Sequence, residues 1–387
     1  MQPVAWIAPD ASHPPRRGGT LRLWGLLAAA SRSARIVLVG ATADEPAAAR
    51  ARARCLELGV EPRIVARGPA LSRWRAPCSA RIERWNATPA LEAEARRALA
   101  GHAGLVHVDE PGVLRLVPRG ARVHALAHPK LELDYARAFA ARPSERRDVR
   151  RVEALERRSI ASGALQLLSS ELDKERLCAR HPGARARVVE NGVDLAALGA
   201  PPSFLERDVG RLLWLGSLDY PPNVQGLVAF LRLSWPALRA ARPALVLEVV
   251  GSGPSHLLGD LRIDGVRFLG EVADPRPALA RAGARVVPLA TGGGTRLKLL
   301  EAAALGAPIV ATRVAAEGLP FEDGREARIV ERIEDLGQAA LEVLDQRDAA
   351  RARCLAARAI VERRYDWSRA GAALIEAWDE AWRSARA

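Results

Sequence analysis

The sequence predicts an α/β protein built as two doubly wound domains in tandem. Three observations lead there. Short apolar runs alternate with longer Ala/Leu/Arg helical patterns along all 387 residues. The runs are apolar on both faces, as strands buried in a parallel sheet must be, and right-handed crossovers would cover each sheet with helices. Glycine turns follow several runs and open helices, at the edge where parallel sheets collect ligands. A chain of this length is also too large for one ordinary domain.

In the first half the strand-like runs are 4–8, 35–39, 63–66, 104–108, 122–126, 165–169 and 187–189. A cationic glycine turn, Arg16-Arg17-Gly18-Gly19-Thr20, lies between the first run and the first helix. The helical stretch 21–30 is interrupted by Arg22, so it reads as an amphipathic helix and not as a signal peptide. A turn at Glu190-Asn191-Gly192-Val193-Asp194 and a linker at Gly199-Ala200-Pro201-Pro202-Ser203 close this half. The runs restart at 211–215, 245–250, 266–269, 285–289, 308–311 and 327–330. The expected domains are 1–198 and 205–364. A C-terminal helix, 365–387, is expected to pack back on the first domain, with Asp366 or Ser368 as its cap.

Composition narrows the function. No apolar run approaches the ~20 residues that span a bilayer. The four cysteines, Cys55, Cys78, Cys178 and Cys354, lack metal-ligand spacing and point to a reducing, cytoplasmic setting. The formal net charge is +13 and lopsided. Residues 1–195 carry 33 Lys and Arg against 21 Asp and Glu; the remainder carries 25 against 24. One reading is attraction to an anionic membrane surface or a phosphate-linked substrate; the other is compositional bias with solvated arginines. Nucleic acid is disfavoured, because aromatic residues make up 4% and are not interleaved with the basic ones.

The densest signal is Thr291-Gly292-Gly293-Gly294-Thr295-Arg296-Leu297-Lys298-Leu299-Leu300-Glu301. Glycines let backbone approach a ligand, and the free amides and dipole of a helix start favour an anion. Arg296 and Lys298 add positive charge, and Glu301 lies one turn on. A phosphate pocket that also holds a carboxylate suits a ligand with both phosphates and hydroxyls. The segment Val250-Gly251-Ser252-Gly253-Pro254 is a weaker phosphate loop expected at the same edge.

Together with Leu215-Gly216-Ser217-Leu218-Asp219-Tyr220-Pro221-Pro222-Asn223, Phe268-Leu269-Gly270-Glu271-Val272-Ala273-Asp274 and Gly306-Ala307-Pro308-Ile309-Val310-Ala311-Thr312, these segments resemble the retaining glycosyltransferases of the GT-B fold. The resemblance is to the large family-4 group and its GGGTRLK-type subgroup, and covers most of the second domain. It implies two Rossmann-like domains facing each other across a cleft, the acceptor in the first and a nucleotide-sugar donor in the second. By that resemblance Glu301 holds the ribose hydroxyls, and the Gly293, Gly294 and Thr295 amides meet the phosphates and sugar. Lys298 neutralises the diphosphate. Arg296 joins Lys298 in supplying positive charge, or pairs with Glu301 or another carboxylate. Ser217, Gly251, Gly253, Val272, Gly18 and Gly19 complete the donor site. His128, past the run 122–126, is the expected catalytic histidine beside Lys298 and Glu301; His107 is expected to be structural.

Two positions depart from the family's pattern. Gly293 stands eight residues before Glu301, where a Glu-x7-Glu pattern carries its first glutamate. The loop from Ser217 to Asn223 lacks the Arg and Lys that grip the diphosphate. The expected function is transfer of a sugar from a nucleotide diphosphate to a saccharide or lipid-linked acceptor, in exopolysaccharide or cell-envelope glycan synthesis. No cofactor or metal is implied, since the donor is a substrate and no Asp-x-Asp motif ends a strand. The competing readings are a non-catalytic nucleotide-sugar-binding protein and a GT-B epimerase.

Overall fold

The structure is a computed structural model, and it describes residues 2–68, 78–253 and 263–386. It divides into two compact units, Met1–Asn191 with Trp367–Ala387, and Gly192–Asp366. Each is built on one parallel sheet.

The first sheet contains β1 (Val4–Ile7), β2 (Ile36–Thr42), β3 (Glu61–Ala66), β4 (Leu105–Val108), β5 (Ala125–His128), β6 (Leu165–Leu168) and β7 (Ala186–Val188), in the order β3-β2-β1-β4-β5-β6-β7. Val4 is registered with Ile36 on one side and Leu105 on the other, so the wholly buried β1 is an interior strand, and the strand order reverses between β1 and β4. The second sheet contains β8 (Asp208–Leu215), β9 (Val246–Val250), β10 (Val266–Gly270), β11 (Ala282–Val287), β12 (Ile309–Thr312) and β13 (Arg328–Val330), in the order β10-β9-β8-β11-β12-β13. Its order reverses between β8 and β11. Ligands bind at such switch points, beyond the carboxyl ends of the strands.

The expected α/β class is what the structure shows, and each apolar run became a strand. Two edges moved. β5 begins at Ala125 and runs through His128, so His128 belongs to the strand and not to the turn beyond it. β11 begins at Ala282, because small residues are required there: a Cβ on Gly283 would press against the Asp208 carbonyl oxygen and the Leu344 side chain.

The first helix, Gly18–Ala30, is buried on more sides than the amphipathic helix expected over 21–30. Thr20, Arg22, Leu23, Trp24, Leu26, Leu27 and Ala30 are all buried, because the C-terminal helix Trp367–Arg386 covers its outer side. Glycines bring the two backbones together: a Cβ on Gly25 would enter the Trp367 ring, and one on Gly371 would meet Ala29. The same C-terminal helix drives Trp378 edge-on to Trp6, with ring centroids 5.5 Å apart. The Trp378 Nε1 donates to His107 Nδ1 at 2.8 Å. Burial, reinforced by the Arg22 charge, pushes His107 down to about 3, so it is neutral core. No helix among the described residues is long and apolar enough to cross a membrane.

Candidate active site

At the carboxyl edge of the second sheet, four strands deliver their loops side by side. The loop after β8 is fastened to the loop after β9. Gly216 N donates to Val250 O at 3.0 Å and Leu218 N to Ser252 O at 2.7 Å. Asn223 Nδ2 closes the turn on Ser217 O at 2.9 Å, at the start of the helix Pro221–Leu233. Gly251 and Gly253 are required by this fastening. A Cβ on Gly251 would collide with the Gly216 carbonyl, and one on Gly253 (φ 108°) would lie about 3 Å from the Leu218–Asp219 backbone. The Gly-x-Gly signal therefore marks the approach of chain to chain, where a phosphate loop was expected. Pro254 of that motif lies outside the described residues.

The glycine cradle joins β11 to the helix Leu297–Ala304, whose N-cap, Arg296, provides no side-chain capping bond. Leu299 N already donates to Arg296 O at 2.8 Å, so it is the amides before it that another acceptor could meet. Gly294 takes φ 74°, which only glycine adopts cheaply. Arg296 folds back over the cradle, its guanidinium donating to the Gly293 carbonyl and to Gly294 O at 2.9 Å. It clasps the loop from within.

Lys298 and Glu301 are partly buried one turn apart on this helix. Burial, then the Arg285 charge, lowers Lys298 to about 8, with Glu301 opposing. Burial raises Glu301 above the usual carboxylate value, while Arg285 and Lys298 pull it back. Arg285 went unnoticed as a site residue in the sequence. It stands in β11, 1% exposed, with its guanidinium donating to the Lys298 carbonyl and to Leu215 O at 3.4 Å. Burial lowers it to about 10, against the Glu301 charge. The signal that would have found it is an arginine inside a run that must be buried on both faces. Val272, just after β10, is partly buried at the same edge.

The remaining predicted residues belong to the first unit. His128 is 2% exposed, with Nε2 2.8 Å from Gln166 Oε1. The Gln166 amide nitrogen is committed to Ser159 O and Ala164 O, so the pair is satisfied when His128 Nε2 carries the proton. Burial lowers its pKa. Gly18 and Gly19 open the first helix, but the group in front of them is acidic: Glu110 Oε1 is 4.0 Å from a Cβ built on Gly19. Glu110 also accepts from Asn86 Nδ2 at 3.1 Å. Burial raises it to about 8, aided by Glu132, Asp109 and Asp10 and opposed by Lys130. Asp109 is raised to about 6 by burial, against Arg22. Arg22 itself donates to Asn191 Oδ1 at 2.7 Å and Val189 O at 2.6 Å.

Two doubly wound units of this kind match the GT-B fold of solved glycosyltransferase structures. Residues 210–346 match the family model described as "Glycosyl transferases group 1". The chain is 32% identical over 195 residues to a phosphatidyl-myo-inositol mannosyltransferase of Mycobacterium leprae, covering 48% of this chain and 51% of that protein. It is 29% identical over 216 residues to a glycogen synthase of Mycobacterium tuberculosis, covering 53% and 51%. The chain therefore spans about half the length of the curated relatives it matches. Among solved structures it superposes on a sucrose-phosphate synthase of Thermosynechococcus elongatus with TM-score 0.72, 17% identity and coverage of 99% and 100%. It superposes on HepE of Anabaena, solved with UDP-glucose, with TM-score 0.71, 14% identity and coverage of 98% and 100%. These likenesses establish the fold.

Proposed function

We propose that this protein is a retaining glycosyltransferase that moves a sugar from a nucleotide-diphosphate donor to a saccharide or lipid-linked acceptor. The observation that carries the reading is the uncapped helix start behind the glycine cradle, with Lys298 and Glu301 one turn apart beside it. Amides and Lys298 meet the diphosphate, and Glu301 accepts from the ribose diol. The loop holding Ser217 is braced by Gly251 and Gly253, so these residues shape the donor pocket indirectly. In the front-face displacement, the bond from the sugar's anomeric carbon to the diphosphate oxygen breaks. An acceptor oxygen bonds the same face and yields its proton to the departing diphosphate. The chain's part is positioning and charge stabilisation, greatest where negative charge grows on the leaving group. The reading calls for no cofactor. His128, neutral and held by Gln166, is assigned to the acceptor side.

The acceptor fits an envelope or exopolysaccharide precursor at the inner face of the membrane, with the protein cytoplasmic and peripheral. Exposed Arg146, Arg147, Arg150 and Arg157 on the helix Pro143–Ala161 support that placement. Clustered cations gain about 1 kcal/mol each near an anionic surface. Sedimentation with anionic and neutral vesicles at low and high salt tests it; equal binding to both at low salt defeats it.

A second reading, a non-catalytic nucleotide-sugar-binding protein, is favoured by Gly293, which stands where the family pattern has glutamate. Thermal stabilisation across a panel of nucleotide sugars, followed by an assay for donor hydrolysis and transfer, separates the two. Stabilisation without turnover selects the second reading, and no stabilisation by any donor rejects both.

A further inference from the structure

We propose that Arg285 is a positioning residue of the donor site, tying the end of β8 to the first turn of the helix Leu297–Ala304 and facing Glu301 with a fixed buried charge. The proposal deepens the reading above and rests on it. Arg285 is placed at the switch point of the second sheet, registered with Leu213 of β8 and Ile309 of β12. Its guanidinium reaches two carbonyls that belong to different elements, the end of β8 and the start of the helix Leu297–Ala304. One is Leu215, from which the Ser217 turn departs; the other is Lys298, in the turn whose amides border the cradle. The side chain thus fixes the distance between two walls of the pocket from beneath.

Its electrostatic position is as specific as its hydrogen bonds. The charged groups acting on Glu301 are Arg285 and Lys298; those acting on Lys298 are Arg285 and Glu301; the one acting on Arg285 is Glu301. The three form one buried group of two cations and one carboxylate. The loop from Ser217 to Asn223 contains no Arg or Lys, so a cation under the pocket floor is where this chain keeps charge that the loop lacks. Arg285 Nε has no hydrogen-bond partner among the described residues.

Arg207 supplies the control. It is also buried, 4% exposed, and its guanidinium donates to Leu279 O at 2.7 Å, Ala280 O at 3.0 Å and Leu305 O at 2.7 Å. The standing charge that acts on it is that of another cation, Arg347. It serves structure without facing the site.

The test uses the full chain, with Arg285→Met, Arg285→Lys and Arg207→Met, and UDP, GDP and ADP as probes. Binding is measured by calorimetry from pH 5 to pH 10, alongside thermal unfolding. Wild-type protein should bind one of the three, with affinity falling at low pH as Glu301 protonates and at high pH as Lys298 deprotonates. Arg285→Met should lose about tenfold in affinity at neutral pH, the equivalent of one charged hydrogen bond. Both limbs should also move to higher pH, because removal of one cation raises both pKa values. Arg285→Lys keeps the charge and should return the limbs to their wild-type positions with only part of the affinity; should Arg285→Met fail to fold, this variant carries the test, and lost affinity with unmoved limbs supports the proposal. Arg207→Met should lower the melting temperature and leave both limbs in place. Folded Arg285 variants that bind as wild type over the whole pH range overturn the proposal while the donor-site reading stands. Wild-type protein that binds none of the probes overturns both.

Discussion

The carboxyl edges of the two sheets carry similar glycine turns and opposite charge. In the first unit, Gly18 and Gly19 open a helix whose start faces Glu110, with Asp109 and Asp10 in electrostatic range. In the second, the cradle opens a helix beside Arg285 and Lys298, with one carboxylate, Glu301. A helix start attracts an anion in either case. In the first unit a buried carboxyl group of the protein stands at that place. In the second, the reading proposed above gives the place to a ligand. Glycine spacing marks where backbone comes close to something; the charge of the neighbouring strand ends shows what that something is.

The second edge sharpens this further, since it holds glycines of both kinds. A Cβ on Gly251 would collide with the Gly216 carbonyl, whereas Gly293 belongs to the cradle, where its carbonyl accepts from Arg296. Gly251→Ala should therefore cost about 3 kcal/mol or more of stability, as overpacking against backbone does, while Gly293→Ala should cost less. Urea unfolding of both variants measures the contrast. Equal losses would erase the distinction between glycines that serve the chain and glycines that serve the ligand.

Glu301→Ala should weaken nucleoside diphosphate binding by roughly 1.5–3 kcal/mol, the range for a hydrogen bond to a charged group. Glu110→Ala should leave that affinity unchanged, because its edge is not the phosphate edge. Calorimetry on the pair tests the comparison directly, and a loss in Glu110→Ala would break it.

Lys298→Ala should lower turnover by about tenfold or more and affect binding of the free nucleoside little, since its charge is needed most as the diphosphate departs. Lys298 titrates at about 8 in the folded protein. Its positive charge is full below that value and lost above it, so wild-type turnover should fall as pH rises through 8. Lys298→Arg, which stays charged, should remove that limb.

Much of this was legible in the sequence because its evidence is contiguous. Buried parallel strands announce themselves as apolar runs, and the cradle, Lys298 and Glu301 lie within eleven residues. What was not legible depends on partners distant in the chain. Arg285 acts through backbone groups of Leu215 and Lys298, which no residue type reveals. Gly251 looked like a ligand loop because a close carbonyl and a close phosphate demand the same residue. The strand position of His128 escaped notice because Gln166, which holds it, comes from the neighbouring strand. Arg22 read as a break in an apolar helix until Asn191 supplied its partner.

The smallest expected effect isolates the acidic side of the comparison. Glu110 is raised from 4.5 in the unfolded chain to about 8 in the folded one, chiefly by burial. Between those values the native state binds more protons than the unfolded state, so this group's contribution to stability is complete below about pH 4.5 and is lost as pH rises through 8. Glu110→Gln keeps an oxygen for Asn86 Nδ2 and cannot ionise. Its stability should equal that of wild type at pH 4.5 and exceed it by about 1–2 kcal/mol at pH 8.5, the order expected when a buried carboxylate no longer has to carry charge. Asp109 titrates in the same direction but is present in both proteins, so it cancels in the difference apart from its coupling to Glu110. Chemical unfolding at the two pH values decides the matter. A gain independent of pH would mean that Gln simply packs better, and a loss at pH 8.5 would mean that the first edge needs its negative charge to satisfy the helix start at Gly18 and Gly19.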